Sequence, residues 1–160
     1  MFRGLTVSAV GALLLAGAML TAQAAKPAAS PLVQAQLSGH WICVQTGGAG
    51  GTFNEDWSPV FGGTWLRATD SVKGLTTAEH TLTFSKATST WIVLDAFPTG
   101  AYDVLHGTGT GATTIAMHAV YPKLALAVTY TRLSPTKYTV DVNGNIQGKK
   151  LLTRSVCTKP

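Results

Sequence analysis

Two cysteines stand near the two ends of the patterned part of the chain, and they constrain its fold more than any other feature. Cys43 and Cys157 are the only cysteines among 160 residues. That number is too small for a disulfide-rich miniprotein or for a zinc site with four thiolates. A bond between them would close a loop of more than a hundred residues, which the chain-entropy model values at about 4 to 5 kcal/mol. We predict a disulfide that joins the first strand to the last, with two buried free thiols as the alternative.

The N-terminus has the pattern of a secretory signal peptide. A basic start that includes Arg3 precedes an apolar run over residues 5–20, and the triplet Ala22-Gln23-Ala24 fits the small-x-small cleavage pattern. A retained anchor is the alternative, but the run is shorter than the roughly 20 residues that cross a bilayer. We predict a signal peptide over residues 1–24 and export to the periplasm or the extracellular space, with no stable membrane insertion after cleavage.

The rest of the chain is long enough for one domain with a core. Residues 25–36 are rich in Ala and Pro and are interpreted as a flexible lead-in, so the domain covers residues 37–160. Only 12% of the residues are charged, and the formal net charge is +5. Nucleic-acid binding needs clustered basic residues, and the one cluster, Lys149, Lys150 and Arg154, is more typical of a solvated edge strand. We expect a monomer that does not bind nucleic acid.

The domain has strand composition and period-two alternation. Alternation predicts strands over 39–46, 65–69, 79–86, 90–97, 101–106, 113–120, 124–132, 137–142 and 146–157, with a further segment at 52–61 left open. The connections are short and have turn chemistry, including one at Asn143-Gly144-Asn145. Nine or ten antiparallel strands of this kind favour an all-β up-and-down barrel, because closure removes exposed edges. A two-sheet sandwich is the alternative.

Two motifs resemble those of known barrels. Gly39-His40-Trp41 resembles the Gly-x-Trp signature that opens lipocalin-like (calycin) barrels. Phe97-Pro98-Thr99-Gly100 and the strand after it are similar to the Pro-Thr-Gly hairpin of nitrobindin-like heme-binding barrels. The resemblance implies a barrel whose lumen holds a small apolar or aromatic ligand. Those barrels ligate heme through a histidine of the closing strand, and residues 151–157 contain none, so heme is retained only as an alternative cofactor.

Parity within the strands nominates residues that line the lumen. His80 shares a face with Leu82 and Phe84, and His106 shares one with Tyr102 and Val104. The ligand-pocket candidates are Trp65, His80, Phe84, Tyr102, His106 and Met117. Phe53 and Trp57 follow the glycine-rich stretch 47–51 and are candidates for a lid over the barrel mouth.

No catalytic or metal-binding motif is recognisable. Glu55 and Asp56 would point apart on a strand, and Asp95 is the one carboxylate whose burial could raise its pKa, with a hydrogen-bonded structural role favoured. The four histidines, His40, His80, His106 and His118, lie on different strands without zinc-motif spacing. The sequence thus predicts a protein that is not an enzyme, with no metal and no cofactor.

The predicted function is binding of a small hydrophobic or aromatic molecule by an exported barrel. Two alternatives remain open from the sequence. One is a barrel for heme or gas chemistry, and the other is an envelope-associated interaction protein without a ligand.

Overall fold

The computed structural model describes residues 30–146 and 148–160, the side chains of residues 33 and 34 excepted. The predicted signal peptide lies outside these residues. Ten antiparallel strands close into one barrel, in which each strand pairs with its neighbours in sequence and the last pairs with the first. The strands are β1 Gly39–Thr46, β2 Gly51–Val60, β3 Trp65–Val72, β4 Leu75–Ser85, β5 Thr90–Ala96, β6 Tyr102–Thr108, β7 Thr114–Tyr121, β8 Ala125–Ser134, β9 Lys137–Ile146 and β10 Lys149–Thr158. The predicted up-and-down barrel is confirmed.

The disulfide lies at the seam where the sheet meets itself. Cys43 of β1 and Cys157 of β10 are direct cross-strand partners, with an S–S distance of 2.03 Å. Both side chains are buried and belong to the hydrophobic core. The predicted disulfide is confirmed, and its free-thiol alternative is wrong.

One end of the barrel, the closed end, is covered by the segment before β1. Helix α1, Pro31–Ala35, leads into Leu37, and both Ala35 and Leu37 are buried in the core. The Trp41 indole N–H donates a hydrogen bond to the carbonyl oxygen of Leu37 over 2.6 Å. Residues 31–36 therefore lead into β1 through a short helix and pack over this end of the barrel. Their apolar side chains replace water over the barrel end, a contact that alternation along the strands does not encode.

The opposite end, called here the far end, carries the five hairpin connections β1–β2, β3–β4, β5–β6, β7–β8 and β9–β10. Among the described residues, no helix lies at this end. The turn predicted at Asn143-Gly144-Asn145 is wrong, because these residues continue β9 and Gly148, with φ +78°, lies in the turn that follows. A Cβ on Gly144 would lie 2.6 Å from the carbonyl oxygen of Ala125, so this glycine allows close strand approach. In the part of the chain that is described, no helix is both long and apolar enough to cross a membrane.

Candidate functional site

A cluster of polar side chains lies inside the barrel, nearer the far end than the closed end. It is built from inward positions on five consecutive strands. Cross-strand pairing places Glu55 opposite Asp70, His80 opposite Asp95, and Asp95 opposite Asp103. Like charges on facing positions destabilise a sheet, so such an accumulation of carboxyl groups needs compensation. The members of this carboxyl cluster are Glu55 on β2, Asp70 on β3, His80 on β4, Asp95 on β5 and Asp103 on β6.

His80 supplies the compensating charge. Its Nδ1 lies 2.6 Å from Oδ1 of Asp95 and its Nε2 lies 3.1 Å from Oδ2 of Asp70. Burial disfavours the charged imidazolium, but the hydrogen bonds with Asp70 and Asp95 outweigh burial and raise the pKa of His80 well above its ordinary value. The imidazolium therefore donates to a carboxylate on each side.

Glu55 is the most deeply buried acid of the cluster. Its side chain is 3% exposed, and burial together with the charge of Asp70 raises its pKa to about 8. His80 and the indole N–H of Trp57 act in the opposite direction, although the indole faces the carboxyl group without full hydrogen-bond geometry. Its carboxyl group also lies within 4.8 Å of the sulfurs of Cys43 and Cys157. At neutral pH Glu55 holds its proton beside the ionised centre of the cluster.

Asp103 and Tyr130 complete the titratable surroundings. Burial, followed by the charge of Asp95, raises the pKa of Asp103 to about 7. Burial and nearby carboxylates, Glu55 first, raise the pKa of Tyr130 well above its ordinary value. The Trp57 ring lies 6.4 Å from the ring of His80 and 6.5 Å from the ring of Tyr130. The cluster thus combines proton donors and acceptors against aromatic faces.

Several buried polar atoms here have no hydrogen-bond partner. Among the described residues, five buried side-chain atoms are unpartnered, and four of them belong to the cluster or to Trp57 within it: Glu55 Oε2, Trp57 Nε1, Asp70 Oδ1 and Asp103 Oδ1. Leaving one buried polar group unpaired costs about 1 to 3 kcal/mol. Native proteins keep such atoms rare, so four in one place require hydrogen-bonding partners from outside the chain, such as water, an ion or a small molecule.

The fifth unpartnered atom has a simpler surrounding. Tyr138 Oη belongs to a residue that lines a cavity of about 10 Å³ near the closed end, beside Leu37 and Tyr130. That volume holds about one water molecule. The closed end is accordingly packed, with Trp41 edge-on to Tyr138 at 4.6 Å.

The structure brings three of the six pocket candidates inside the barrel. His80 is a member of the carboxyl cluster. Phe84 packs edge-on against Trp91 with ring centres 5.3 Å apart, and Met117 is 3% exposed. These two residues belong to the apolar core and not to the cluster.

The other three candidates lie on the outer face. On β6 the inward positions are Asp103, Leu105 and Gly107, so Tyr102 and His106 point outward, and Tyr102 is 49% exposed. Trp65 alternates with the buried Leu66 and is also outward. Alternation correctly divided the residues of β6 into two faces but assigned the wrong face to the interior. The interior face carries an aspartate and a glycine, and the outer face carries a tyrosine.

The lid candidates form part of the interior wall. Residues 51–60 are strand β2, on which Phe53, Glu55 and Trp57 share the inward face. Trp57 is 3% exposed, and Phe53 is partly buried against the core. The exposed Asp56 and Ser58 on either side of Trp57 are outward positions of the strand, so Trp57 belongs to the wall and not to a lid.

Sequence reasoning missed Glu55, Asp70 and Asp103 as site residues. A signal was present for two of the contacts. A β4–β5 turn centred on residues 86–89 fixes a register in which His80 lies opposite Asp95. The next hairpin, β5–β6, places Asp95 opposite Asp103. Glu55 gives no comparable signal, because its orientation depends on how β2 is read, and Asp70 lies just beyond the predicted end of β3 at residue 69.

Comparison with solved structures gives the fold. An S-type phycobiliprotein lyase from Guillardia theta matches with a TM-score of 0.50 and 15% identity, over 79% of this chain and 88% of that chain. The fold is that of a lipocalin-like barrel. A redesigned β barrel also matches over 79% of this chain and 95% of its own, at 15% identity, but its TM-score of 0.38 is too low for an argument. No family model and no curated protein matches the chain.

The prediction that the protein is not an enzyme is wrong. It rested on the absence of a catalytic motif. The match to a lyase contradicts it, because that lyase has the same fold. Short sequence motifs could not predict the carboxyl and imidazole groups inside this barrel. Its acids and its imidazole come one each from five strands and meet only when the sheet has closed.

Proposed function

We propose that the protein binds a small organic molecule that enters at the far end and places its polar part on the carboxyl cluster. The observation that carries the proposal is the set of four unpartnered buried atoms in one place, Glu55 Oε2, Trp57 Nε1, Asp70 Oδ1 and Asp103 Oδ1. A ligand that hydrogen-bonds to them would remove the cost of burying them unpaired. The lipocalin-like fold supports the same proposal, because barrels of this size can hold one small ligand.

The chemistry of these atoms defines the ligand class. Three of the four are carboxyl oxygens, and the carboxylates of Asp70 and Asp95 outnumber the single imidazolium of His80. Such a site favours N–H donors or a positive charge. The aromatic faces of Trp57 and Phe53 favour a flat, unsaturated body. The ligand class is therefore an aromatic or conjugated molecule that carries N–H groups or a cationic nitrogen.

Enzymatic chemistry on the bound molecule is a second candidate function. Carboxyl groups and an imidazole in contact are the groups that general acid–base catalysis uses, and a lyase with this fold is known. Mass spectrometry of any small molecule that co-purifies with the protein, before and after long incubation with it, would reveal a changed mass. An unchanged mass over many hours, with the ligand still exchanging, would contradict this second function.

Export is part of the proposal. A buried disulfide is compatible with an oxidising compartment. N-terminal sequencing of the protein recovered from the periplasm or the medium should begin at Ala25. Recovery of the chain from the cytosol with Met1 in place would contradict export.

Two dyes of opposite charge test the ligand class. Tryptophan emission of the purified protein should change on titration with the cationic dye 9-aminoacridine, and the anionic dye 1-anilinonaphthalene-8-sulfonate should bind more weakly. Asp103→Asn should raise the Kd of the cationic dye by about tenfold, which corresponds to about 1.4 kcal/mol of binding free energy. Asp56→Asn, an exposed acid next to Glu55 in sequence, is the matched control and should have no effect. Equal affinity for both dyes, or no effect of Asp103→Asn, would contradict the proposed class.

A further inference from the structure

Three side chains of the carboxyl cluster are arranged as ligands of one ion. Glu55, Asp70 and His80 each offer one ligand atom, and the three atoms lie within 4.8 Å of one another. Glu55 is 3% exposed and its Oε2 has no hydrogen-bond partner. Oδ1 of Asp70 is also buried and unpartnered, although the Asp70 side chain as a whole is 15% exposed. We propose that Glu55, Asp70 and the Nε2 atom of His80 bind a divalent transition-metal ion inside the barrel. This inference goes beyond the binding of an organic molecule; it uses two of the same unpartnered atoms, Glu55 Oε2 and Asp70 Oδ1, and is tested with the metal alone.

The distance between two of the donors already suits a shared ion. Nε2 of His80 lies 3.1 Å from Oδ2 of Asp70. Two adjacent ligands that each bind an ion at about 2.0 to 2.2 Å are separated by about 2.9 to 3.6 Å. An ion could therefore replace the hydrogen bond between His80 and Asp70 with little movement of either strand.

Asp95 supports the histidine from behind. It accepts a hydrogen bond from Nδ1 of His80 over 2.6 Å, on the side of the ring away from Asp70. A ligating histidine in metalloproteins usually donates its other ring nitrogen to a carboxylate in this way, which fixes the ring and leaves the remaining nitrogen for the metal. Asp95 is thus a positioning residue for the site and not a ligand.

The donor set indicates the kind of metal. Two carboxylates and one imidazole suit zinc, manganese or ferrous iron, whereas calcium and magnesium prefer oxygen ligands throughout. Binding would release the proton of Glu55 and the Nε2 proton of His80 to solvent, after which two carboxylates balance the charge of a dication. Three protein ligands leave at least one position for water or for a bound molecule, which is the pattern of catalytic zinc sites. A second group of ligand-type residues, Cys43, Glu55 and Cys157, is excluded because both cysteines are in the disulfide.

Titration with Zn²⁺ alone tests the inference without any organic ligand. The protein is kept oxidised, treated with EDTA, dialysed, and titrated by calorimetry. We expect one ion per chain with a Kd below about 10 μM. Glu55→Gln, which keeps the shape of the side chain, should raise Kd at least about 100-fold, and Asp95→Asn by about 10- to 100-fold, as expected for an outer-shell partner.

Glu79→Gln is the matched control, because Glu79 precedes His80 on β4 but is paired with Arg67 on the exposed side. It should bind Zn²⁺ as the unmodified protein does. Absence of binding at 1 mM Zn²⁺ would overturn the inference, and so would Glu55→Gln binding with unchanged affinity, because the ion would then lie elsewhere.

If Glu55→Gln does not fold, X-ray absorption at the zinc edge of the unmodified protein still decides. One imidazole among nitrogen and oxygen ligands supports the site, and two or more imidazoles, or any sulfur, overturns it. The EDTA-treated protein serves for the dye titrations above, so that loss of metal binding and loss of organic-ligand binding are separate results.

Discussion

At the residue scale, His80 determines whether the interior acids are tolerated. It is hydrogen-bonded to Asp95 over 2.6 Å and to Asp70 over 3.1 Å, and all three side chains are 13% to 15% exposed. Buried carboxylates without a positive partner are strongly destabilising, because the charge has lost its water and gained nothing in return. The imidazolium is therefore a structural requirement of the metal-free site.

Replacement of His80 tests this requirement. In the EDTA-treated protein, His80→Asn should lower the free energy of unfolding by about 3 to 5 kcal/mol, the range found when one partner of a buried ion pair is removed. Urea denaturation followed by tryptophan emission measures it. His118→Asn, an exposed histidine on β7, is the control and should stay within about 0.5 kcal/mol. A loss below about 1 kcal/mol for His80→Asn would contradict the assignment.

The raised pKa values of the cluster predict that the metal-free protein is less stable in alkaline solution. Glu55 has a pKa of about 8 in the folded protein against an ordinary value of 4.5, so between these values the folded chain holds a proton that the unfolded chain has released. Asp103 behaves likewise between 3.8 and about 7. The stabilisation by His80 is present below 6.5 and is lost as the pH rises through its raised folded-state pKa. All three contributions decrease with rising pH.

Urea denaturation at pH 5.5 and at pH 9 measures this effect. We expect the free energy of unfolding to fall by at least about 2 kcal/mol, since one pKa unit corresponds to about 1.4 kcal/mol. Glu55→Gln should flatten the profile. The groups that face one another here are Glu55, Asp70, His80, Asp95, Asp103 and Tyr130. Stability that rises between these pH values would contradict the assignment.

At the element scale, hairpin pairing connects the sequence to the site. The strands β4, β5 and β6 were predictable from alternation, and their short turns fix His80 opposite Asp95 and Asp95 opposite Asp103. The inward side of β6 was not predictable, because its interior holds Asp103 where an apolar residue is expected. Apolar alternation predicts which side chains of a strand point inward only where the interior is apolar. The site is the part of the interior that is polar, so alternation fails there.

Strand β9 shows the same limit for turns. Asn143, Gly144 and Asn145 have turn composition but continue the ladder with β8 and β10. Gly144 is there because a Cβ would lie 2.6 Å from the carbonyl oxygen of Ala125. A close approach between strands and a tight turn both require glycine, and the sequence alone does not separate the two reasons.

Substitution of Gly144 separates them. Gly144→Ala should lower the free energy of unfolding by about 1 to 3 kcal/mol, because backbone atoms of β8 must move away from the added methyl group. Thermal or urea denaturation measures it. Asn143→Ala, an exposed neighbour on the same strand, is the control and should have little effect. A Gly144→Ala variant as stable as the unmodified protein would show that the strands can separate without cost.

At the scale of the whole molecule, the barrel has two different halves. The closed end is filled by large apolar side chains, among them Trp41, Trp91 and Tyr138, and is capped by α1. The region nearer the far end holds the carboxyl cluster. Burial of apolar side chains in the packed half stabilises the fold. This stabilisation offsets the cost of the buried polar groups in the other half.

The disulfide stabilises the whole barrel. Cys43 and Cys157 are 114 residues apart in sequence, so reduction frees a loop that spans nearly the entire domain. The Cys43→Ser, Cys157→Ser double variant should lose about 2 to 5 kcal/mol of unfolding free energy. Urea denaturation under oxidising and reducing conditions measures it, with the double variant insensitive to the reductant. No difference between oxidised and reduced protein would contradict the contribution.

The position of Glu55 beside the two sulfurs gives the crosslink a second consequence. Glu55 lies on β2, which pairs with β1, and β1 is the strand that the disulfide joins to β10. Without the disulfide, the seam between β1 and β10 would be held by its hydrogen-bonded ladder and by side-chain packing alone. The crosslink therefore acts at two levels, because it closes the sheet and also ties down the part of the wall next to Glu55.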